Sequence, residues 1–427
     1  MNEPIFIARQ DTLEQEILPA HWLAQYKLFG EESYTFQDKG IWKKLCMSSA
    51  AANDRDIHAE ALEEMLTTFS AEHTGKWMLL VYGTDAAALE GLATMAAIAA
   101  NGTAMGAIVD NALLMHAIAN SETAMQRIAN SQTAMQRVAN NRGAMDAIGR
   151  SRIARDAVQA SPYYNSCIKE NDMAIAKLAV ALANLESAGY SGMAGVAADS
   201  TAMTAVAASA TAMTAVAASS VARNAISASP YYDEKIKEND MAIAKLVVGF
   251  ANLESARYSG CAGMAADSTA MTAVAASSTA MTAVAASGVA LKAIAQAYKQ
   301  TAAMLKFLQA VNASDTLIKR IYSTLTGATG LFGATQLGSQ DGVESANSWA
   351  TTSAAPNAFL ACACGYYSSG GSSVNVTYNG TVIAQNKTGA KQPGSVTSTN
   401  VNAITMAPST FTENGDGWLA VQKFTAK

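Results

Sequence analysis

Residues Thr201 to Ser209 read TAMTAVAAS, and the same nine letters return at Thr211 to Ser219, Thr269 to Ser277 and Thr279 to Ser287. A looser form of the unit runs upstream. Met95, Met105, Met115, Met125, Met135 and Met145 each precede an Ile or Val by three positions, namely Ile98, Ile108, Ile118, Ile128, Val138 and Ile148. The ten-residue period decides what these segments can be. At about 100° per residue, ten helical residues leave the Met/Val stripe about 80° out of line with its predecessor, so one continuous helix cannot keep it against a straight partner. A coiled coil would need about 3.33 residues per turn, well below the 3.5 of a left-handed supercoil. The helix must therefore break once per unit.

The sequence supplies the break. Asn120-Ser121-Glu122-Thr123, Asn130-Ser131-Gln132-Thr133 and Ser209-Ala210-Thr211 place N-capping side chains just ahead of each Ala-Met segment. There they can accept hydrogen bonds from the first free amides of a helix. Each unit reads as a helix of about seven residues and a short turn, stacked as an α-solenoid with Met and Ile or Val facing inward. The competing reading is a β-solenoid with two short edges per unit. It would turn Asp110, Asn120, Asn130, Asn140 and Arg150 into an apolar lumen at a desolvation cost, and alanine favours helix over strand.

A longer repeat encloses the short one. Ser161 to Ala228 and Ser229 to Gln296 align at an offset of 68 with 15 differences. Both copies begin SPYY, run through IKENDMAIAKL and ANLESA, and finish in decapeptides. So close a duplication suggests a modular shaft whose length can change. Between the decapeptide blocks, Ile168, Ile175, Leu178, Leu182 and Leu185 fall on heptad spacing, as do Ile236, Ile243, Leu246, Phe250 and Leu253 in the second copy. A third stretch runs through Leu291, Ile294, Tyr298, Leu305 and Leu308, with Ile318, Ile321 and Leu325 beyond it. These positions are candidate oligomerisation residues of a self-associating coiled coil. The alternative is that each amphipathic helix packs back onto its own solenoid.

Half of the 427 residues are hydrophobic, but much of that share is alanine, and aromatic (7%) and charged (15%) residues are few. Neither one large globule nor a solvated disordered chain fits this composition. The formal charge of −5, with no basic segment carrying interleaved aromatics, argues against nucleic acid as a partner. The opening MNEPIFIARQDTLEQEIL lacks the basic stretch and apolar core of a secretory signal, so cytoplasmic synthesis is expected. The apolar windows Ala86 to Ala100 and Met173 to Leu185 are interrupted by Glu90 and Lys177 and fall short of the ~20 residues a bilayer demands. No membrane insertion is expected. Five scattered cysteines argue against a disulfide framework.

The whole reads as a multidomain, mainly α protein. It has an N-terminal α or α+β head over 1–85, a decapeptide-repeat shaft over 86–160, duplicated modules over 161–228 and 229–296, a helical neck over 297–330, and a C-terminal antiparallel β-domain over 331–427. In that last domain Asn379-Gly380 separates Val374 to Tyr378 from Thr381 to Ile383, a two-residue hairpin signal.

Chemistry is sparse. No histidine follows His116, so the later segments cannot build a Ser-His-Asp or Cys-His site within one chain. Asp341, Glu344, Glu413 and Asp416 could form a glycosidase pair, but they lie in Gly/Asn-rich sequence where acids are ordinary turn residues. Cys362 and Cys364 share a strand face without a second pair, which suits small buried side chains. His58 and His73 stand 15 residues apart, not at metal-ligand spacing, and the Met column matches the packing period rather than a soft-metal site. No catalytic residue, metal or cofactor is expected. What remains is recognition. Trp349, Tyr366, Tyr367, Tyr378 and Trp418, with Asn379, Asn347 and Asn375, offer flat faces and amides suited to sugars, and serve equally as core aromatics of a small β-sandwich.

The TAMTAVAAS decapeptides resemble the Ala/Met/Ser/Thr repeats in tail fibres of tailed bacteriophages, over about residues 93 to 300. The resemblance implies a non-enzymatic virion component, commonly a homotrimer. Its N-terminal end would dock on other tail or baseplate proteins and its distal end would meet a glycan or protein of the host surface. On that expectation Trp349, Tyr366, Tyr367, Tyr378, Asn379 and Trp418 are the candidate receptor-binding residues. Two other classes stay open: a bacterial surface adhesin, and a polysaccharide depolymerase.

Overall fold

Alanine-rich decapeptides become short capped helices because each unit carries its own start signal. The computed structural model describes residues 55–67, 74–75, 78, 86–89, 91–297, 301–341, 348–351, 357–366, 373–387, 395–406, 409–414 and 417–427. Two units divide the chain, Met1–Ala205 and Val206–Lys427. In the first, α1 (Arg55–Thr67) and α2 (Ala86–Leu89) precede seven repeat helices. These are α3 (Met95–Ala100), α4 (Gly102–Val109), α5 (Ala112–Ala119), α6 (Glu122–Ala129), α7 (Gln132–Ala139), α8 (Arg142–Arg150) and α9 (Arg152–Ala160). Asn111, Ser121, Ser131, Asn141 and Ser151 hold extended backbone at the corners, and each side chain accepts from the amide three residues on, at 2.9–3.3 Å. Each such cap contributes about 1 kcal/mol.

The corner between α4 and α5 bends the chain by 102°. Bends of this size bring every helix over the one three places earlier: α6 packs on α3, α7 on α4, α8 on α5 and α9 on α6. One turn of the solenoid is therefore three helical edges. The cap residues also tie the turns together. Ser131, Ser151 and Ser161 donate to the carbonyls of Ala99, Ala119 and Ala129 at 2.5–2.6 Å, and Asn141 donates to Asp110 at 2.8 Å. One hydroxyl thus satisfies both a free amide of its own helix and a free carbonyl of the turn before it. Met105, Met115, Met125, Met135 and Met145, with Ile108, Ile118, Ile128, Val138 and Ile148, have no exposed surface. They fill the centre, as the inward-facing reading requires.

At the start of the coil, α1 supplies what a preceding turn otherwise would. Glu63 accepts from the Ser121 hydroxyl (2.5 Å), the Thr123 amide (3.1 Å) and the Thr123 hydroxyl (2.5 Å). Most of the sequence-derived head, residues 1–54 included, lies outside the described residues.

The coil then passes a π-helical turn (Asn165–Lys169), α10 (Asp172–Leu182) and α11 (Met193–Ala197), and α12 (Ser200–Ala208) runs across the division between the units. The second unit holds α13 (Ala210–Ala218), α14 (Ser220–Ser227), a second π-helical turn (Asp233–Lys237), α15 (Asp240–Phe250), α16 (Cys261–Ala266), α17 (Ser268–Ala276), α18 (Ser278–Ala286) and α19 (Gly288–Gln296). Stacking keeps its period of three: α15 on α13, α18 on α15 and α19 on α16.

The heptad positions do not form a seam. Ile168 sits in the π-helical turn, α10 stops at Leu182, and Asn184 takes a left-handed φ of 59° before Leu185. A Schellman closure ends the helix there, with Leu185 N–H on the Val180 carbonyl and Asn184 N–H on that of Ala181. Asn252 (φ 56°) repeats this before Leu253. Ile168, Ile175, Leu178, Ile236, Ile243 and Leu246 are buried in the chain's own core, and Leu182, Leu185, Phe250 and Leu253 are half-buried. Six of the ten heptad positions of the two copies are thus packed on the chain's own solenoid. The third stretch is likewise spread over separate helices, α19, α20 (Thr301–Asn312) and α21 (Asp315–Gly327), with Tyr298 outside the described residues.

Helices α20 and α21 extend the coil, packing on α17 and α18, and lead into eight strands. One antiparallel sheet has the order β1 (Phe332–Asp341), β8 (Gly417–Ala426), β3 (Ala358–Tyr366), β6 (Ala403–Met406). The other is ordered β2 (Ser348–Thr351), β7 (Ser409–Asn414), β4 (Ser373–Tyr378), β5 (Thr381–Lys387). The β4–β5 hairpin turns on Asn379 (φ 48°) and Gly380 (φ 77°), the two left-handed positions a type I′ turn needs. Residues Ala358 to Ala363 of β3 are all buried, because helices cover one face of its sheet and the second sheet the other. On β6, an edge strand, the buried Asn312 amide donates to the Ile404 carbonyl (2.7 Å) and accepts from its amide (3.0 Å). A side chain there takes the place of a missing strand. One hydrophobic core runs from Ile243 to Phe424, so the β-domain is continuous with the last turns of the coil.

Candidate functional site

The candidate receptor residues divide sharply. Tyr378 is only 2% exposed and belongs to the core, where burial raises its hydroxyl pKa, so it is corrected from a surface residue to a packing residue. Asn379 stands exposed at the hairpin tip. Trp349 lies on β2, Tyr366 on β3 and Trp418 on β8, with their side chains outside the described part of the structure. Tyr367 lies outside the described residues. In register, Trp418 is opposite Gly365 and Asp341, and Trp349 opposite Phe411.

Asp341 and Glu413 belong to strands of different sheets, while Glu344 and Asp416 lie outside the described residues. Cys167, Cys261 and Cys362 are buried. Burial and the nearby Asp240 carboxylate push the Cys261 thiol far above its usual range, which makes it a packing group rather than a nucleophile. Among the described residues no three His, Cys, Asp or Glu side chains come together to hold a metal ion. Nor is any single helix among them long and apolar enough to cross a membrane.

The strongest polar feature is one the sequence showed only as an interruption: a lysine inside each MAIAKL run. Lys177 of α10 has no exposed surface. Its ammonium donates to Asp146 Oδ1 (2.5 Å) and the Ser187 carbonyl (3.0 Å), and the Ser187 hydroxyl donates to the same carboxylate (2.9 Å). In the second unit Lys245 of α15 is 2% exposed. It donates to Thr214 Oγ1 (2.9 Å) and the carbonyls of Ser255 (2.9 Å) and Ala256 (3.3 Å). Desolvation lowers its pKa, against a weaker opposing pull from Glu254. The available signal was a lysine kept at the same place in both copies of an otherwise apolar run. A buried charge needs partners, and only the turn below and the ANLESA loop can supply them.

Those loops, 183–192 and 251–260, are the places where the coil leaves its helical edge. Around the first, Arg142 donates to the Ala188 carbonyl (2.6 Å) and Arg150 pairs with Glu186 (3.0 Å). Around the second, Arg257 stacks over Tyr258 (4.9 Å) and pairs with Asp267 (3.1 Å). Tyr190 donates to Asp199 (2.9 Å) and Tyr258 to Asp267 (2.8 Å). Burial first, then the Asp199 carboxylate, push the Tyr190 hydroxyl to about 12. Every one of these groups is engaged by its own chain, and both lysines are shut off from solvent. The arrangement fastens loops to the coil. No protein-family model matches this sequence, and no curated protein matches it.

Proposed function

We propose that the chain is a non-enzymatic structural protein of a bacteriophage tail, a fibre that links the virion to the host surface. The observation that carries the reading is the coil itself. Decapeptide helices stack three to a turn around a sealed Met/Ile/Val core, and the chain repeats the arrangement as a 68-residue module. Stacked repeats of this kind gain span by adding units against their neighbours. Buried polar groups that serve internal ties support a mechanical role for the coil.

In this reading the N-terminal end docks on other tail or baseplate proteins, and the β-domain meets a host glycan or protein, with Asn379 at its exposed hairpin. Self-association as a trimer belongs to the same proposal. It would use surfaces other than Ile168, Ile175, Leu178, Ile236, Ile243 and Leu246, which are buried in the chain's own core. The test is an antiserum against the purified chain applied to purified virions and to envelopes of uninfected host cells. Labelling of tails supports the fibre. Labelling of uninfected envelopes alone would instead make the chain a bacterial surface adhesin.

A further inference from the structure

We infer that the 68-residue repeat is a phase-preserving length module: each copy adds two whole turns of the coil, so copy number can change without rotating the downstream segments. Residues 229–296 hold six helical edges, the π-helical turn Asp233–Lys237 and α15 to α19. Stacking recurs every three edges. Six edges therefore return the chain to the same side of the coil, whereas one decapeptide alone shifts everything after it by a third of a turn.

The landing surfaces agree with this. Lys245 lands on Thr214, the Asn239 amide donates to the Ala207 carbonyl (3.2 Å), and Gly249 lies against the Ala217 backbone. Sixty-eight residues on, those receiving positions are Thr282, Ala275 and Ala285, the same residue types. A further copy placed after Gln296 would meet the surface it already fits. One contact changes character: Arg223, which sits 5.7 Å over Phe250, corresponds to Leu291, an apolar partner the ring also accepts. The last copy is fitted to the neck beyond it. A Cβ at Gly288 would lie 3.0 Å from both Ala328 and Leu331, where the other copy carries Ser220. Extra copies therefore belong between the existing ones and the neck, with an unaltered 229–296 always last.

The biological use of such a module rests on the fibre reading, but its folding does not, so the two fail separately. The experiment compares the full chain with two variants: one carrying a second copy of 229–296 after Gln296, the other a second copy of Ser268 to Ser277 after Ser277. The long insertion should keep one cooperative melt at or above the parent temperature. It should also raise helical ellipticity and lengthen the particle by two interhelical spacings, ~16–20 Å, in small-angle scattering. The ten-residue insertion should lower the melting temperature by at least about 10 °C or abolish cooperativity, because α20 and α21 lose their seats. Equal tolerance of both insertions, or equal damage from both, overturns the inference.

Discussion

Two turns built to one plan, 141–192 in the first unit and 209–260 in the second, bury a lysine by different means. Lys177 meets a carboxylate, Asp146, at 2.5 Å; Lys245 meets neutral oxygens of Thr214, Ser255 and Ala256. The small residue that lets the layers approach has also changed sides. It is Gly149 below and Ala181 above in the first unit, Ala217 below and Gly249 above in the second. The ammonium tie to the ANLESA loop and the close layer contact survive, while the charge balance and the placement of the methyl group do not. Geometry is thus the shared requirement of the two turns, and it can be met with or without a counter-ion.

The largest expected effect separates the two lysines. Lys177→Met strands the Asp146 carboxylate, whose side chain is 15% exposed, beside a single hydroxyl and should cost about 3–5 kcal/mol. Lys245→Met leaves only neutral acceptors behind and removes an ammonium that has no carboxylate partner, so the loss should be about 1 kcal/mol. Urea unfolding of the full chain, followed by ellipticity and by hydrogen exchange in α10 and α15, measures both. Equal losses would mean that the carboxylate contributes nothing, and the contrast between the units would collapse.

Next in size is the layer contact. A methyl at Gly249 would press into the Ala217 carbonyl oxygen, a backbone atom that cannot turn aside, so Gly249→Ala should cost about 3 kcal/mol, the upper end for overpacking. Adding Ala217→Gly recreates the pairing of the first unit and should recover at least about 1 kcal/mol. A double variant no better than the single one would show that the exchange of sides is not compensatory. Smaller still is the arginine that braces each turn. Arg223 donates to the Ala217 carbonyl (2.6 Å) and covers Phe250, while Arg155 donates to that of Gly149 (2.5 Å) and has Leu182 at the ring's place. Arg223→Ala should cost about 1 kcal/mol and Arg155→Ala about half that, the difference being the ring contact. Melting of the two variants side by side checks it.

Much of this was legible in the residues. The ten-residue period, the Ser and Asn caps and the inward Met column are local consequences of helix geometry, and the Asn379-Gly380 turn is fixed by its two left-handed positions. The number of edges per turn was not legible, because it depends on the corner angle, which no single decapeptide encodes. Heptad spacing misled for a related reason. Ile168, Ile175 and Leu178 are all buried, but the π-helical turn and the Asn184 closure cut the helix that would have lined them up. Tyr378 shows the limit for the tip: a strand aromatic beside a hairpin can face either way, and here it fills the core.

The smallest predicted effect bears most directly on what separates the two lysines. Burial holds Lys245 below its ordinary value of about 10.4, so in the window below that value the unfolded chain binds more protons than the folded one. Stability contributed by this group therefore rises with pH across the window. Half-buried tyrosines pull the other way: Tyr164, Tyr190 and Tyr232 are pushed to about 12, and stability from them falls once their unfolded counterparts ionise near 10. A raw pH profile would mix the two, so the readout is a difference. Thr214→Asp gives Lys245 the carboxylate that Lys177 already has and should stabilise the protein at neutral pH. That advantage should shrink steadily as the pH approaches about 10.4, because only the parent gains from releasing the proton. An advantage unchanged with pH would mean that Lys245 carries no desolvation penalty, and that its neutral oxygens solvate the ammonium as well as water and a carboxylate do.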